Sequence, residues 1–570
     1  MGAVRMLLPV LRPAAGRDGH RAGGRLLVAA LLLCSSPRWV FVRPQPLERR
    51  IGWGAEAVAL CRAAMLRERP GAPDLLARTL VLQAQLLLHA GRYEEARAAA
   101  EESLNVPDAH ASSVQTAYCH LMRALALAWL DRSDEALVTV RRSVAAYRSV
   151  TPGYTDRSLG SPAAALRAHA WVLDRAGRTA ESVEVYLQCV ELLRELPLWQ
   201  QSRLAVLHTR VLAELAGGLR VLGRFTEAVE AGSDARERVS SLAPRLYPET
   251  QVMRAQLLID LAWCLGATED RPRARATAEE AVSRCRNLPV GAEVPDGALL
   301  ALALDCLAHH LDLVDAHTEE RAVLQELVVL CERLAVAGPD AHEPRLAVTL
   351  DALARCHTRD GEGAEAVTVT ERAVELCRRA VGRDSGPYEP ELARTLANLS
   401  VRMRLSGEFG GAVAAGDEAL AITRRLAGAE GADGRSLVAD RLRILGRARY
   451  RAEDDEGAAA CFEEAETLLR DLMKAGDPGP YAAGLAAAQS ALARALGAAA
   501  DGHLDAGRTD DAAVALRRLK ELTARAPLTD VHAACVTTFA RARDRGGEGA
   551  VRAWQRTTGE PWPTFVYRLG

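Results

Sequence analysis

The sequence predicts an all-α fold, a solenoid of antiparallel helix hairpins, on three observations. Ala, Leu, Arg and Glu fill long stretches while aromatics make up only 4% of the chain, so helix is favoured nearly everywhere and a large sheet is excluded. A short phrase, Gly-x-[aromatic or small]-x-x-Ala, recurs along the chain and opens an amphipathic helix each time. With 570 residues, 49% hydrophobic and 26% charged, the chain is apolar enough to fold, and at roughly 150 residues per domain it would make about four domains or one long array. The recurring phrase selects the array.

Residues 1–50 form a separate N-terminal segment. Arg5, Arg12, Arg17, Arg21 and Arg25 precede an apolar run at residues 26–34, so the segment reads either as a helix or misassigned start, or as a targeting sequence. No small-x-small cleavage site follows, Leu33 before Cys34 spoils a lipoprotein site, and the run falls well short of the roughly 20 apolar residues that span a bilayer. A cytoplasmic protein is therefore expected, with export or anchoring through residues 26–34 as the alternative.

Residues 51–475 carry the array. Clear copies of the phrase are residues 91–96 (Gly91, Tyr93, Ala96), 177–182, 223–228 (Gly223, Phe225, Ala228), 361–366, 407–412 (Gly407, Phe409, Ala412) and 507–512. Degenerate copies end at Ala57, Ala136, Ala274, Ala322, Ala458 and Ala550, and those at Ala274, Ala322 and Ala458 lack the glycine. Ser182, Ala228 and Ala274 lie 46 residues apart, as do Ala366, Ala412 and Ala458. Another apolar helix precedes each glycine, as at residues 346–355 and 392–399. Each repeat is thus a hairpin: Gly makes the interhelical turn, the small residue five positions later lets the helices approach, and leucine stripes bury against neighbours. About ten to twelve hairpins are expected. Residues 476–480, with two prolines and two glycines, predict a flexible junction before a C-terminal set of hairpins at 481–557. The aromatic tail, 558–570, is expected to cap the array or to stay exposed for recognition.

The phrase resembles the tetratricopeptide repeat, whose second helix opens with Gly-x-Tyr-x-x-Ala. Tyr93, Phe225 and Phe409 match the family's aromatic, and Ala96, Ala228 and Ala412 its small residue. The family's minimal unit is about 34 residues. The excess here is expected in connectors such as 382–390 and 428–434, and such longer units resemble those of kinesin light chains and of bacterial regulators. The resemblance implies a right-handed superhelical solenoid and a non-catalytic scaffold or adaptor that binds a partner peptide or helix in the groove lined by the first helix of each hairpin. The alternative is a regulatory sensor arm that takes a signalling peptide or small ligand and controls an effector, and an enzyme embedded in helical repeats ranks third.

Charge names no partner globally: 72 Lys plus Arg against 74 Asp plus Glu leave −2, so neither nucleic acid nor an anionic membrane is expected. All but Lys474 and Lys520 of the basic residues are arginines. Twelve cysteines scattered without a C-x-x-C pair suit a reducing compartment, as small apolar residues. No phosphate-binding loop, nucleophile elbow or H-E-x-x-H is present. His309 and His310, near Asp312 and His317, point about 100° apart on a helix. No enzyme activity, metal or cofactor is expected.

Counting the small residue as the twentieth of each repeat, the family's groove positions are the second, fifth, ninth and twelfth. For the repeats ending at Ala366, Ala412 and Ala458 these are Val348, Asp351, Arg355 and Thr358; Arg394, Ala397, Val401 and Arg404; and Asp440, Arg443, Arg447 and Tyr450. Five of the twelve are arginine, where 70 arginines in 570 residues would place between one and two. With Asn398 close by, the set resembles a basic wall that holds an acidic segment, since a guanidinium fork takes a carboxylate bidentately. The competing reading pairs these arginines with Asp351 and Asp440. In earlier repeats Tyr118, Arg167, Trp171, Gln256 and Trp263 fall at the same positions. They read as anchors for a helix or apolar peptide, or else as interhelical core. The partner expected is another protein or peptide, acidic where it meets the arginines. Its identity and the oligomeric state are not legible.

Overall fold

The computed structural model describes residues 47–68, 71–107, 113–148, 161–242, 249–288, 297–428, 431–475, 478–526 and 528–563. Among them every regular element is an α-helix, twenty-three in all, with no strand. None of these helices is long and apolar enough to cross a membrane. The targeting call on residues 26–34 lies outside the described residues.

The chain divides into two compact units at residues 314 and 315. In the first, α1 (Leu47–Leu66) precedes the hairpins α2 (Ala72–His89)/α3 (Tyr93–Leu104), α4 (Ser113–Trp129)/α5 (Ser133–Arg148) and α6 (Pro162–Arg175)/α7 (Thr179–Glu195). The short α8 (Leu198–Arg203) leads into α9 (Ala205–Val221)/α10 (Phe225–Ser241) and α11 (Glu249–Ala267)/α12 (Arg271–Arg286), and α13 (Ala298–Leu313) ends the unit. The second unit starts with α14 (His317–Ala337) and α15 (Pro339–Arg359)/α16 (Gly363–Arg383). It continues with α17 (Ser385–Ser406)/α18 (Phe409–Ala427), α19 (Gly431–Arg451)/α20 (Asp455–Ala475), α21 (Gly479–Asp505)/α22 (Thr509–Arg525) and α23 (Thr529–Thr558).

The turn between paired helices has one recipe in both units. Gly91, Gly177, Gly223, Gly361, Gly407 and Gly507 are left-handed, with φ between 72° and 85°, as an L-residue rarely is. The next residue caps the second helix, and the aromatic follows as its first residue at Tyr93, Phe225 and Phe409. The small residue then lies buried at Ala96, Ser182, Ala228, Ala366, Ala412 and Ala512. Where glycine is missing, Asp131, Glu269, Asp315 and Glu453 take the same conformation at φ 57°, 62°, 56° and 63°.

This recipe corrects the register at one copy. Five residues after Asp315 comes Glu320, fully buried, whereas Ala322 is exposed. The 46-residue step therefore runs unbroken from Ser182 to Ala458 through a glutamate that occupies the small-residue position. Two further degenerate copies are not turns of this kind. α1 runs unbroken past Ala57, and near Ala550 the chain bends within α23 at Gly547, at φ 51° and ψ −139°.

The connectors are also corrected. In the second unit the extra length of the repeats lies in the helices: only Asp384 separates α16 from α17, and Pro390 sits inside α17. Pro344 occupies the corresponding place in α15, one repeat earlier. A proline beyond the first turn forfeits a backbone hydrogen bond, yet both helices continue because their apolar faces are buried along the hairpin. Of residues 428–434, those from Gly431 on belong to α19. At the expected junction, residues 476–477 lie outside the described residues and helix resumes at Gly479.

Within each unit the first helices of successive hairpins pack on one another, as in α2 with α4, α9 with α11, α15 with α17 and α19 with α21. No two second helices pack comparably among the described residues. The hairpin layer therefore curves with its first helices inside, and their outward-facing side chains share one wall. At the C-terminus Trp562 is buried against Phe539 and Trp554, ring centroids 5.4 and 6.2 Å apart, and closes the last cluster. Residues 564–570 of the tail lie outside the described residues.

Candidate functional site

On the inner wall of the second unit, α15, α17 and α19 carry the arginines singled out by repeat position and α21 adds Arg494, and they fall into two groups. The first group is spent on internal acids. Arg355, half exposed, donates Nη2 to Glu320 Oε1 at 2.9 Å, and Arg359 donates Nη1 to Oε2 at 2.8 Å. Arg394 donates to Glu391 Oε1 at 2.6 Å and to Asp351 Oδ2 at 2.8 Å. Those bonds, Glu391's first, hold its guanidinium more firmly protonated than usual. Asn398 Nδ2 reaches the same Asp351 oxygen at 2.8 Å, and buried Arg402 donates to Asp351 Oδ1 and to Thr370 Oγ1 at 2.9 Å. Asp351 is itself buried. A buried carboxylate demands such donors, so Arg355, Arg394 and Asn398 serve the wall's interior before any partner.

The second group is Arg404, Arg443, Arg447 and Arg494. Arg443 donates to Asp440 Oδ1 at 2.7 Å. Among the described residues neither Arg404 nor Arg447 is ion-paired. Burial lowers the Arg447 pKa first, and Arg443, Arg404 and Arg494 lower it further against the opposing pull of Asp440 alone. Arg404 is lowered by burial and then by Arg451. Arg494 also acts on Asp530, so four clustered cations face two carboxylates and keep a net positive potential. Tyr450, one helical turn beyond Arg447, and Leu405, beside Arg404, are exposed there. Arg494 was missed in the sequence, although it stands at the second position of the repeat ending at Ala512, where the same count finds it. Glu320 stands 46 residues after Ala274 and 46 before Ala366, so the period locates its position, but nothing in its neighbourhood marks a glutamate as buried.

The first unit has another wall. Tyr118, expected to face the groove, is 5% exposed and packs in the core with Val81, Met122 and Tyr147, a correction that follows from its apolar ring filling interhelical space. Arg167 is clamped to Glu214 by two bonds of 2.8 and 2.5 Å. Trp171 is partly buried and joins a stack: Tyr93 lies on Trp129 with centroids 5.3 Å apart and planes within 4°, and Trp171 lies 5.4 Å from Trp129. The Arg175 guanidinium sits 4.8 Å from the Trp129 ring and 5.5 Å from Trp171, and it pairs with Asp131 at 2.8 Å. Trp129, 45% exposed, is the outermost of these rings. It falls one residue past the counted positions, which is why the sequence reading missed it.

Trp263 packs against His309 and His310, at 4.7 and 5.6 Å. His310 is buried, and burial, with His309 beside it, pushes its pKa down to about 4. The close fit needs Gly266, because a Cβ there would lie 2.5 Å from the His310 ring. All eleven described cysteines are buried. Burial pushes the Cys119 and Cys356 thiols up to about 11, the opposite of what a thiolate nucleophile needs.

The tetratricopeptide repeat family model matches residues 346–386 and 392–433, the hairpins that carry Asp351, Arg355, Arg394 and Arg404. No curated protein matches the chain. Similar solved structures include BtubC (BKLC) from P. vanneervenii, 20% identical over 45% of this chain and 94% of that one, with a TM-score of 0.37. The apo form of RapI is 10% identical over 66% and 99%, with a TM-score of 0.44. Aspartyl phosphate phosphatase F from Bacillus subtilis is 10% identical over 69% and 93%, with a TM-score of 0.38.

Proposed function

We propose that this chain, a helical-repeat protein carrying tetratricopeptide repeats, is a non-catalytic interaction scaffold whose second unit binds an acidic segment of a partner protein. The observation that carries this reading is the group Arg404, Arg443, Arg447 and Arg494 on one wall, opposed by Asp440 and, at Arg494, by Asp530. Arg404 and Arg447, which are not ion-paired among the described residues, offer forked donors to an acidic side chain. Their setting on rigid, packed helices means that little conformational freedom is lost on binding. Exposed Tyr450 and Leu405 supply apolar contact at the edge of the charged patch.

The test is fluorescence anisotropy of a labelled polyglutamate peptide with the full chain. Binding should weaken as salt is raised, because exposed charge contacts are screened. Arg404→Glu combined with Arg447→Glu should weaken it by about a hundredfold, the scale of reversing close interfacial charges, with an unchanged circular dichroism spectrum. Undiminished binding by that folded double variant overturns the assignment.

A further inference from the structure

We infer that the four-arginine patch is a receptor for a phosphorylated side chain, with Arg447 at its centre. The inference rests on the acidic-segment reading and narrows it.

Arg404 stands at the twelfth position of its repeat, Arg447 and Arg443 at the ninth and fifth of the next, and Arg494 at the second of the one after. These residues descend diagonally across α17, α19 and α21, first helices that pack in sequence. They therefore gather on one patch instead of spreading along the wall. Arg447 has the other three arginines and Asp440 as its charged neighbours. Arg443 gives one nitrogen to Asp440, while its buried Nε has no acceptor among the described residues. Its Nη1 lies 3.7 Å from where a Cβ on Gly484 would stand, so the absence of a side chain there leaves α21 open to the guanidinium.

A peptide of dispersed carboxylates would need dispersed cations. The positions that could extend the patch into a ladder, Arg355 and Arg394, already hold Glu320, Asp351 and Glu391. What remains matches a compact anion. A phosphate ester carries about −1.5 to −2 charge and three acceptor oxygens on one centre, where a carboxylate carries −1 and two, and guanidinium forks bind it bidentately. The balanced charge of the whole chain, −2, favours a phosphopeptide over a nucleic acid, which would bring a long line of phosphates to a surface without a matching basic field.

The experiment titrates the full chain with three labelled degenerate peptide pools whose fixed centre is phosphothreonine, Glu-Glu or threonine. The phosphothreonine pool should bind about tenfold tighter than the charge-matched Glu-Glu pool, the margin expected of a bidentate fork on a dianion. Arg447→Ala and Arg447→Lys should each erase that margin, because lysine keeps the charge and loses the fork. Arg424→Ala, on α18 and outside the wall, should preserve it. Equal binding of the two charged pools overturns the phosphate assignment and leaves the acidic-segment reading standing. Failure of both pools to bind the folded wild-type chain overturns both. Displacement of every pool by a single-stranded oligonucleotide, without preference among them, reassigns the patch to nucleic acid.

Discussion

The two units use the same hairpin and the same turn but finish their inner walls differently. At the ninth position of alternate repeats the first unit places Trp171 and Trp263, and the second places Arg355 and Arg447. Trp171 joins a ring stack, Trp263 meets two histidines, Arg355 is tied to a buried glutamate, and Arg447 has only cations and Asp440 near it. A scaffold position therefore does not carry a function by itself. What decides is whether a neighbouring helix supplies a partner, and the residues left without one are the candidates for an outside partner.

The strongest way to break this contrast is to remove an acid that holds a wall together. Asp351→Ala would strand Arg402, whose side chain is 9% exposed and whose strongest acceptors are on Asp351. Leaving a buried charge without its counter-ion costs about 3–5 kcal/mol, so the second unit should unfold at markedly lower urea. A loss below about 1 kcal/mol, the scale of a surface pair, would mean that the Asp351 network is not structural and that Arg394 is as free for a partner as Arg447.

Acid should separate the units next. His208 on α9 and His310 on α13 are buried, and burial pushes each down to about 4, with Arg238 adding to the effect at His208 and His309 at His310. An unfolded histidine takes its proton near pH 6.5, so between there and about pH 4 the unfolded chain holds more protons than the folded one. Stability is complete above the upper value and falls with pH, by at most about 1.4 kcal/mol per pH unit for each group. Hydrogen exchange at pH 7 and pH 5, corrected for intrinsic rates, should show protection lost first in α9 and α13. Equal loss in α17 and α19 would remove this difference between the units.

Trp129→Ala tests the aromatic wall. It deletes the ring held between Tyr93 and the Trp171–Arg175 pair, and since Trp129 is already half exposed the expected loss is about 1–2 kcal/mol of stability in a urea titration. Trp129→Phe should recover most of it. No change in either variant would free this stack to be read as a binding surface instead of a packing device.

Much of this architecture is legible in the sequence because a local rule dictates it. A left-handed turn selects Gly91, Gly223 and Gly407, and close helix approach selects Ala96, Ala228 and Ala412. The wall obeys no local rule. Asp351 and Asp440 stand at counted positions, so their pairing with Arg394 and Arg443 is open to the sequence. Arg355, however, is neutralised by an acid 35 residues away that holds no counted groove position, and Arg402 by one 51 away without being counted itself. The same limit hid Glu320: a charged residue at a small-residue position breaks the pattern, and only its two arginine partners explain how it is tolerated there. The connectors misled for a different reason, since Pro344 and Pro390 are helix breakers by propensity and are overridden by hairpin packing.

The smallest expected effect isolates what the units share. Glu269 in the first unit and Glu453 in the second hold the left-handed turn position that glycine fills elsewhere. Neither side chain is ion-paired among the described residues, unlike Asp131, which pairs with Arg175. A non-glycine residue costs about 1–2 kcal/mol in this conformation, while glycine adds roughly 0.5–1 kcal/mol of chain entropy lost on folding. Glu269→Gly and Glu453→Gly should therefore each raise stability, by up to about 1 kcal/mol, and Gly407→Ala should lower it by a similar amount. Thermal melts of the three variants measure this. The gain should be the same in both units, since the turn is independent of the wall above it. Unequal gains would tie the turn to the side chains that distinguish the units, and the hairpin could no longer be treated as a neutral frame on which two different walls are built.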